Sequence, residues 1–256
     1  MQENLYKMEK MNKLPLSIGI LAWHSGQVLI DTLTTYFEHN FLQHVNDVTI
    51  LFQECTEEDK QIADHFGIPY IAHDTNIGIG GAFIELTEQA KTENVLILEH
   101  DWKLIEDEKT TLERLESGMV LLNNGIDCVR YRHRKHPGHP HFSMQYKGRE
   151  LTYYDKLFEC TSPHLLDSVH WLDPAIEFPD KIQRNGEYFV STSRYGNWTN
   201  NPCLYKKQFY LDIVNPFAGA GIDLEGKISK WWCESNYMVA HGAGLFRHED
   251  IPKHGK

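Results

Sequence analysis

The sequence predicts an α/β fold, a mostly parallel central sheet flanked by helices, followed by a loop-rich second half. Three observations carry this. Apolar runs of strand character alternate with stretches of helical periodicity as far as Asp101. The run Asn94-Val95-Leu96-Ile97-Leu98-Glu99 places large apolar residues consecutively, as a strand buried on both faces requires. Beyond it the periodicity weakens and aromatic, loop-like segments take over. Alternation of strand and helix implies parallel strands joined by right-handed crossovers.

In order, Leu16 to Ala22 reads as a first strand ending at Trp23-His24-Ser25-Gly26. Val28, Leu29, Leu33, Tyr36 and Phe37 recur at helical spacing between Gln27 and about Val45. Val48 to Phe52 is a second buried strand, ending at Gln53-Glu54-Cys55. Thr56 with Asp59 resembles a capping box, and Gly67 followed by Pro69 closes the helix it opens. Tyr70 to Ala72 is a short strand. It leads into Asn76-Ile77-Gly78-Ile79-Gly80-Gly81-Ala82, a glycine-rich helix start where backbone can approach a ligand closely. Gly78 and Gly80 match only part of a dinucleotide fingerprint, since Phe83 stands where a third small residue belongs.

After Asp101 a helix is expected from about Asp107 to Asn123 and a strand from Asp127 to Tyr131. Periodicity is then lost until about Tyr188. Leu204 to Ile213 and Leu224 to Met238 read as helices, and Gly244 to His248 as a last short strand.

The chain has 256 residues, 25 basic against 36 acidic side chains for a formal charge of -11, and 41% hydrophobic content, enough for one large α/β domain. A single domain over residues 1–256 is expected, with a flexible lead at 1–13, a first half at 14–103 and a second at 104–256. Net acidity argues against a nucleic-acid partner. No apolar run approaches the roughly 20 residues of a membrane span, and Met1 to Lys13 lacks the apolar stretch of a secretory signal, so a soluble, cytoplasmic protein is expected. Five scattered cysteines without C-x-x-C spacing suit reduced thiols rather than a disulfide framework.

The chemistry concentrates at strand ends. Glu99 and Asp101, flanking His100, stand at alternate positions where a buried strand stops, and such a pair at the carboxyl edge of an α/β sheet is placed to hold a divalent cation. A surface acidic turn is the plain alternative. Trp23 suits sheet-end packing as well as base stacking, and Asn76 with its glycines suits a tight turn as well as a ligand cradle.

The order of these strand ends, Trp23-His24, Gln53-Glu54, Asn76-Ile77-Gly78 and Glu99-His100-Asp101, resembles the nucleotide-sugar-binding half of GT-A glycosyltransferases, a Rossmann-like fold. The similarity is to inverting, family-2-like members. It implies that Ala22, Trp23, His24 and Glu54 meet the nucleobase and ribose, and that Asn76, Gly78 and Gly80 line the donor. Glu99-His100-Asp101 stands where the family has D-x-D, with glutamate replacing the first aspartate, so the resemblance makes Asp101 the surer metal or ribose contact. The resemblance further implies an acceptor-side segment at Trp198 and Asn200-Asn201-Pro202, and a late acidic motif at Gly221-Ile222-Asp223-Leu224-Glu225 whose carboxylate serves as base, Glu225 first and Asp223 second. It also implies a C-terminal segment, Gly242 to His248, in which His248 joins Asp101 and Glu99 at the metal and Arg247 adds charge on the donor side. The cofactor implied is a divalent cation, Mn²⁺ or Mg²⁺. The partners implied are a nucleotide-diphosphate sugar, with UDP, GDP, CDP and dTDP all open as the nucleotide, and a saccharide or other hydroxyl acceptor.

The basic stretch Arg130 to His141 is expected to be a solvated cationic loop at the cleft rim, or an acceptor contact through Arg132. The function expected is metal-dependent transfer of a sugar from the nucleotide to an acceptor hydroxyl, with inversion. The alternatives are a sugar-phosphate nucleotidyltransferase and a non-catalytic carbohydrate or nucleic-acid binding module on a decayed transferase fold.

Overall fold

The computed structural model describes residues 13–136, 144–146, 149–151, 168, 171–196, 198–220 and 224–249. Its first half follows the alternation of the sequence: β1 (Leu14–Trp23), α1 (Gly26–Glu38), β2 (Val45–Gln53), α2 (Glu57–Phe66), β3 (Tyr70–Ala72), α3 (Gly78–Gln89) and β4 (Asn94–Glu99). The second half contains β5 (Trp102–Leu104), α4 (Glu108–Asn123), β6 (Cys128–Arg132), β7 (Met144–Tyr146), β8 (Arg149–Leu151) and α5 (Pro174–Glu177). It continues with β9 (Gln183–Asn185), β10 (Tyr188–Thr192), β11 (Cys203–Lys206), α6 (Lys207–Val214), α7 (Leu224–Glu234) and β12 (Met238–His248). Among the described residues no helix is long and apolar enough to cross a membrane.

Local chemistry explains the early boundaries. Thr56 and Asp59 close the capping box in both directions, and Gly67 ends α2 in the left-handed region at φ 65°. The helix expected as far as Val45 stops at Glu38, because Asn40 turns left-handed (φ 54°) and Phe41–His44 form a 3-10 turn that leads directly into β2.

The sheet runs β3-β2-β1-β4-β11-β6-β12-β10-β9, with β5 added on β12, and β7 and β8 form a separate pair. β1 to β4 are mutually parallel where they pair, as are β6 and β12. β11 lies between β4 and β6 and is antiparallel to both, so β6 points the same way as β4. Three readings of the second half change accordingly. Leu204–Lys206 is strand rather than helix start, β12 is longer than expected and begins at Met238, and Trp102–Leu104 is a strand with no periodic signal.

Alternate residues of the central strands feed two apolar layers. Leu16, Ile18, Ile20 and Ala22 of β1 pack with Leu96 and Leu98 of β4 against Leu29, Leu33 and Tyr36 of α1. Leu21, Val95 and Ile97 face the opposite layer, with Phe83 and Leu86 of α3, Tyr210 and Val214 of α6, and Leu224, Ile228 and Trp232 of α7. Gly19 lets α3 lie directly on β1, since a Cβ there would sit 3.0 Å from Leu86 Cβ. Burying two layers on one sheet is what fixes its register, because a one-residue slip would exchange them.

Candidate active site

The parallel strands β1, β2, β3, β4, β6 and β12 all end at one edge of the sheet. At the end of β1 and of β2 the backbone enters the left-handed region at non-glycine residues, His24 (φ 46°) and Glu54 (φ 51°), a conformation costing roughly 1–2 kcal/mol at each. The two residues meet: Glu54 Oε2 accepts from Trp23 Nε1 at 2.6 Å and lies 3.0 Å from His24 Nε2. Trp23 is 46% exposed, so its ring stands out from the sheet rather than filling its end. Ala22, by contrast, is fully buried in the first apolar layer, and only its backbone could meet a ligand.

Gln53, not among the expected site residues, is buried and accepts from the Ile77 backbone N–H at 2.9 Å, tying the end of β2 to the turn before α3. Its only signal in the sequence is its place beside Glu54. Within that turn Asn76 Oδ1 accepts from Gly78 N–H at 2.8 Å, and Gly78 adopts φ 81°. Gly80 serves another end. It is buried, and a Cβ there would stand 3.2 Å from the Ala218 carbonyl oxygen, so this glycine admits protein backbone rather than a ligand.

β4 stops at Glu99, the chain turns at His100 and Asp101, and β5 begins at Trp102. Glu99 lies within electrostatic reach of Asp101, Glu225 and Tyr210, and Asp101 also within reach of Tyr36 on α1. Asp101 Oδ2 meets His248 Nε2 at 3.1 Å. Glu99, Asp101 and His248 do not form one ligand cluster, and among the described residues no group of three or more His, Cys, Asp or Glu side chains could hold a metal.

The two carboxyls diverge in acidity. Burial, with the neighbouring charges of Asp101 and Glu225, pushes Glu99 up to about 8. Burial would also raise Asp101, but the His248 hydrogen bond and charge, with His100, outweigh it and hold the carboxyl below its ordinary value. His100 is pushed down by burial, against the Asp101 charge and a hydrogen bond to the Leu21 backbone. Asp101 is 9% exposed and its Oδ1 is buried with no hydrogen-bond partner. An ionised, buried oxygen left unpaired is costly, and a divalent cation is the group that would satisfy it. Asp101 with His248 thus fits a cation that takes its remaining ligands from outside the protein.

Glu225 lies in the first turn of α7, within electrostatic reach of Glu99, and its Oε1 accepts from the Asn200 backbone N–H at 2.6 Å. Asn200 Oδ1 is buried without a partner, while the Asn201 N–H donates to Thr199 Oγ1 at 3.1 Å. Asp223 lies outside the described residues. Two acceptor assignments change. Trp198 is 3% exposed and packs against Tyr205, Tyr210 and Trp232, so it anchors the second layer instead of meeting an acceptor. Arg132 is 6% exposed and its guanidinium lies over the Trp102 ring, 5.8 Å from its centroid. The basic stretch is accordingly no solvated loop at its start: Arg130, Arg132 and His133 are buried, and His133 Nε2 pairs with Glu106 Oε1 at 2.8 Å. Residues 137–141 lie outside the described set. Arg247 is exposed on β12, opposite Lys103.

No family model matches the sequence, and no curated relative matches it. Solved structures do. TarS 1-349 of S. aureus in complex with UDP-GlcNAc aligns with TM-score 0.57 at 12% identity, over 94% of this chain and 60% of that one. A mannosyltransferase from Pyrobaculum calidifontis in complex with GDP-Man and Mn²⁺ aligns with TM-score 0.52 at 9% identity, over 95% of this chain and 59% of that one. Glucosyl-3-phosphoglycerate synthase from Mycobacterium tuberculosis, with Mn²⁺, UDP and phosphoglyceric acid, aligns with TM-score 0.51 at 12% identity, over 93% and 71%. The chain spans about three fifths of the length of the first two. With its largely parallel sheet flanked by helices, it shares the GT-A fold of these nucleotide-sugar glycosyltransferases.

Proposed function

We propose that this chain is a glycosyltransferase that moves a sugar from a nucleotide diphosphate to an acceptor hydroxyl, with inversion at the sugar carbon. The observation that supports the proposal is that the Trp23–His24–Glu54 cluster, the Asn76–Gly78 turn, the Asp101–His248 pair and the Asn200–Glu225 pair all follow or precede strand ends on one edge of a GT-A sheet. Trp23 offers a ring face to a nucleobase, and the Glu54 carboxylate offers an acceptor to base or ribose N–H and O–H groups. The Asn76 turn fixes the start of α3, whose N-terminal backbone favours the anionic part of the donor.

Asp101 and His248 would hold Mn²⁺ or Mg²⁺, the imidazole tilting the choice toward Mn²⁺. When bound, such a cation supplies Lewis-acid stabilisation to the diphosphate as it departs. The protein's own part is to remove a proton. Glu225, with Oε1 held by Asn200 N–H, has Oε2 left for the acceptor hydroxyl. As the acceptor oxygen bonds to the sugar carbon, the bond from that carbon to the diphosphate oxygen breaks, and the hydroxyl proton passes to the Glu225 carboxylate. Glu99, its carboxyl pushed up to about 8 by burial and the neighbouring charges, could donate a hydrogen bond to a sugar hydroxyl.

The test is calorimetric titration of UDP, GDP, CDP and dTDP, each with and without Mn²⁺, into wild type and Asp101→Ala. Metal-dependent binding of one nucleotide, lost in the variant, is expected. Absence of binding to all four with metal present overturns the proposal and favours a non-catalytic module.

A further inference from the structure

We infer that Lys103 and Glu249 are positioning residues that latch His248 onto Asp101; this rests on the reading that Asp101 and His248 hold the cation. β5 and the end of β12 form a short antiparallel ladder, with Phe246 opposite Leu104, Arg247 opposite Lys103 and His248 opposite Trp102. Past the last pair the Glu249 N–H donates to the Asp101 carbonyl at 2.9 Å. The segment carrying His248 therefore lies alongside the segment carrying Asp101, backbone to backbone. A ladder this short gains little from its own hydrogen bonds, and strand ends open first.

Side chains on both sides hold it closed. Lys103 Nζ lies 2.7 Å from Glu249 Oε2 and 3.7 Å from Asp31 Oδ2 on α1, and its side chain is only 16% exposed. α1 grips β5 from beneath: Tyr36 OH donates to the Trp102 carbonyl at 2.6 Å, and Thr35 Oγ1 accepts from Leu104 N–H at 3.1 Å. The Trp102 ring meets the His248 imidazole edge-on at 4.9 Å. β5 is thus fixed to the first layer, and the Lys103–Glu249 pair decides whether the residue after His248 stays against it. The pair does not reach a ligand itself. It acts by keeping His248 Nε2 at Asp101 Oδ2.

The experiment is titration of Mn²⁺, alone and with UDP present, into full-length wild type, Lys103→Met, Glu249→Gln, the double variant and Lys103→Arg, reading free Mn²⁺ by electron paramagnetic resonance. Each single substitution is expected to weaken Mn²⁺ binding about 10-fold, the scale found for groups that orient metal ligands. The double variant should be no weaker than either single one, and Lys103→Arg should return close to wild type. A purely structural loss would not show that pattern. Wild-type affinity in both Lys103→Met and Glu249→Gln, or losses that add in the double variant, overturns the inference. Failure of wild type itself to bind Mn²⁺ overturns instead the metal reading beneath it. Glu249→Gln keeps the test open should Lys103→Met fail to fold.

Discussion

On the β1–β3 side of the sheet each site residue lies at or just past the end of its own strand, while on the β6–β12 side key contacts join positions more than a hundred residues apart, as where His241 Nε2 meets the Arg132 carbonyl and His248 meets Asp101. The first side is a row of repeated local units, each a strand, a turn and a helix. The second is assembled by long-range pairing, with β11 inserted backwards and β5 returning onto β12. A local unit keeps its turn geometry wherever it is placed, whereas an assembled site depends on every strand that brings its parts together.

Function should divide along that line first. Glu225→Gln is expected to lower sugar transfer by about 10²–10⁴-fold while leaving nucleotide binding near wild type, measured by product formation beside calorimetry. Equal transfer by the variant would remove Glu225 from the role of base. Stability should divide next. Gly244, at φ 86°, lies against the Arg132 carbonyl and His133 Cα, so Gly244→Ala brings both strain and collision and is expected to cost about 3 kcal/mol or more. Gly67, at φ 65°, has nothing within 4 Å, and Gly67→Ala should cost only about 1 kcal/mol from backbone strain. Urea unfolding of the two variants compares an assembled junction with a local cap, and similar losses would erase the distinction.

A further effect, accumulating over several pH units, belongs to Glu99. Glu99 titrates near its ordinary value of 4.5 when unfolded but at about 8 when folded. Between those values the folded chain binds the extra proton, so its contribution is fully present below the unfolded value and is lost as pH rises through the folded one. In metal-free protein, stability should fall by up to about 1.4 kcal/mol per pH unit across that window relative to Glu99→Gln, in which this slope is absent. Parallel profiles for the two proteins would show that Glu99 ionises normally. Smallest is the helix cap: Thr56→Ala should destabilise by about 1 kcal/mol, since it removes the acceptor for Asp59 N–H without disturbing any distant pair.

What could be read in the sequence follows the same division. Thr56, Asp59, Gly67 and the run Val95 to Leu98 act through neighbours a few residues away, and their spacing carries the whole message. The sequence from Leu204 to Ile213 reads as one helix even though Leu204 belongs to a strand, because β11 is held by partners on β4 and β6 that no local window contains. Trp198 looked like a ligand contact for the same reason. Its neighbours Tyr205, Tyr210 and Trp232 become visible only once β11, α6 and α7 are packed. The Glu99–Asp101 spacing is plain in the sequence, but the chain turns at His100 into β5, three residues whose strand character comes from β12. Gln53 and Lys103 work through a side chain to a distant backbone or carboxylate, and neither residue type advertises that.

β11 has a mechanical consequence. Because Cys203–Tyr205 is hydrogen-bonded along one side to β4 and along the other to β6, the strands of the two halves share an unbroken set of backbone hydrogen bonds with no seam between them. The halves cannot swing apart as jaws without unzipping a central strand. For the transfer proposed above, this makes the floor beneath the strand ends as stiff as the core under it.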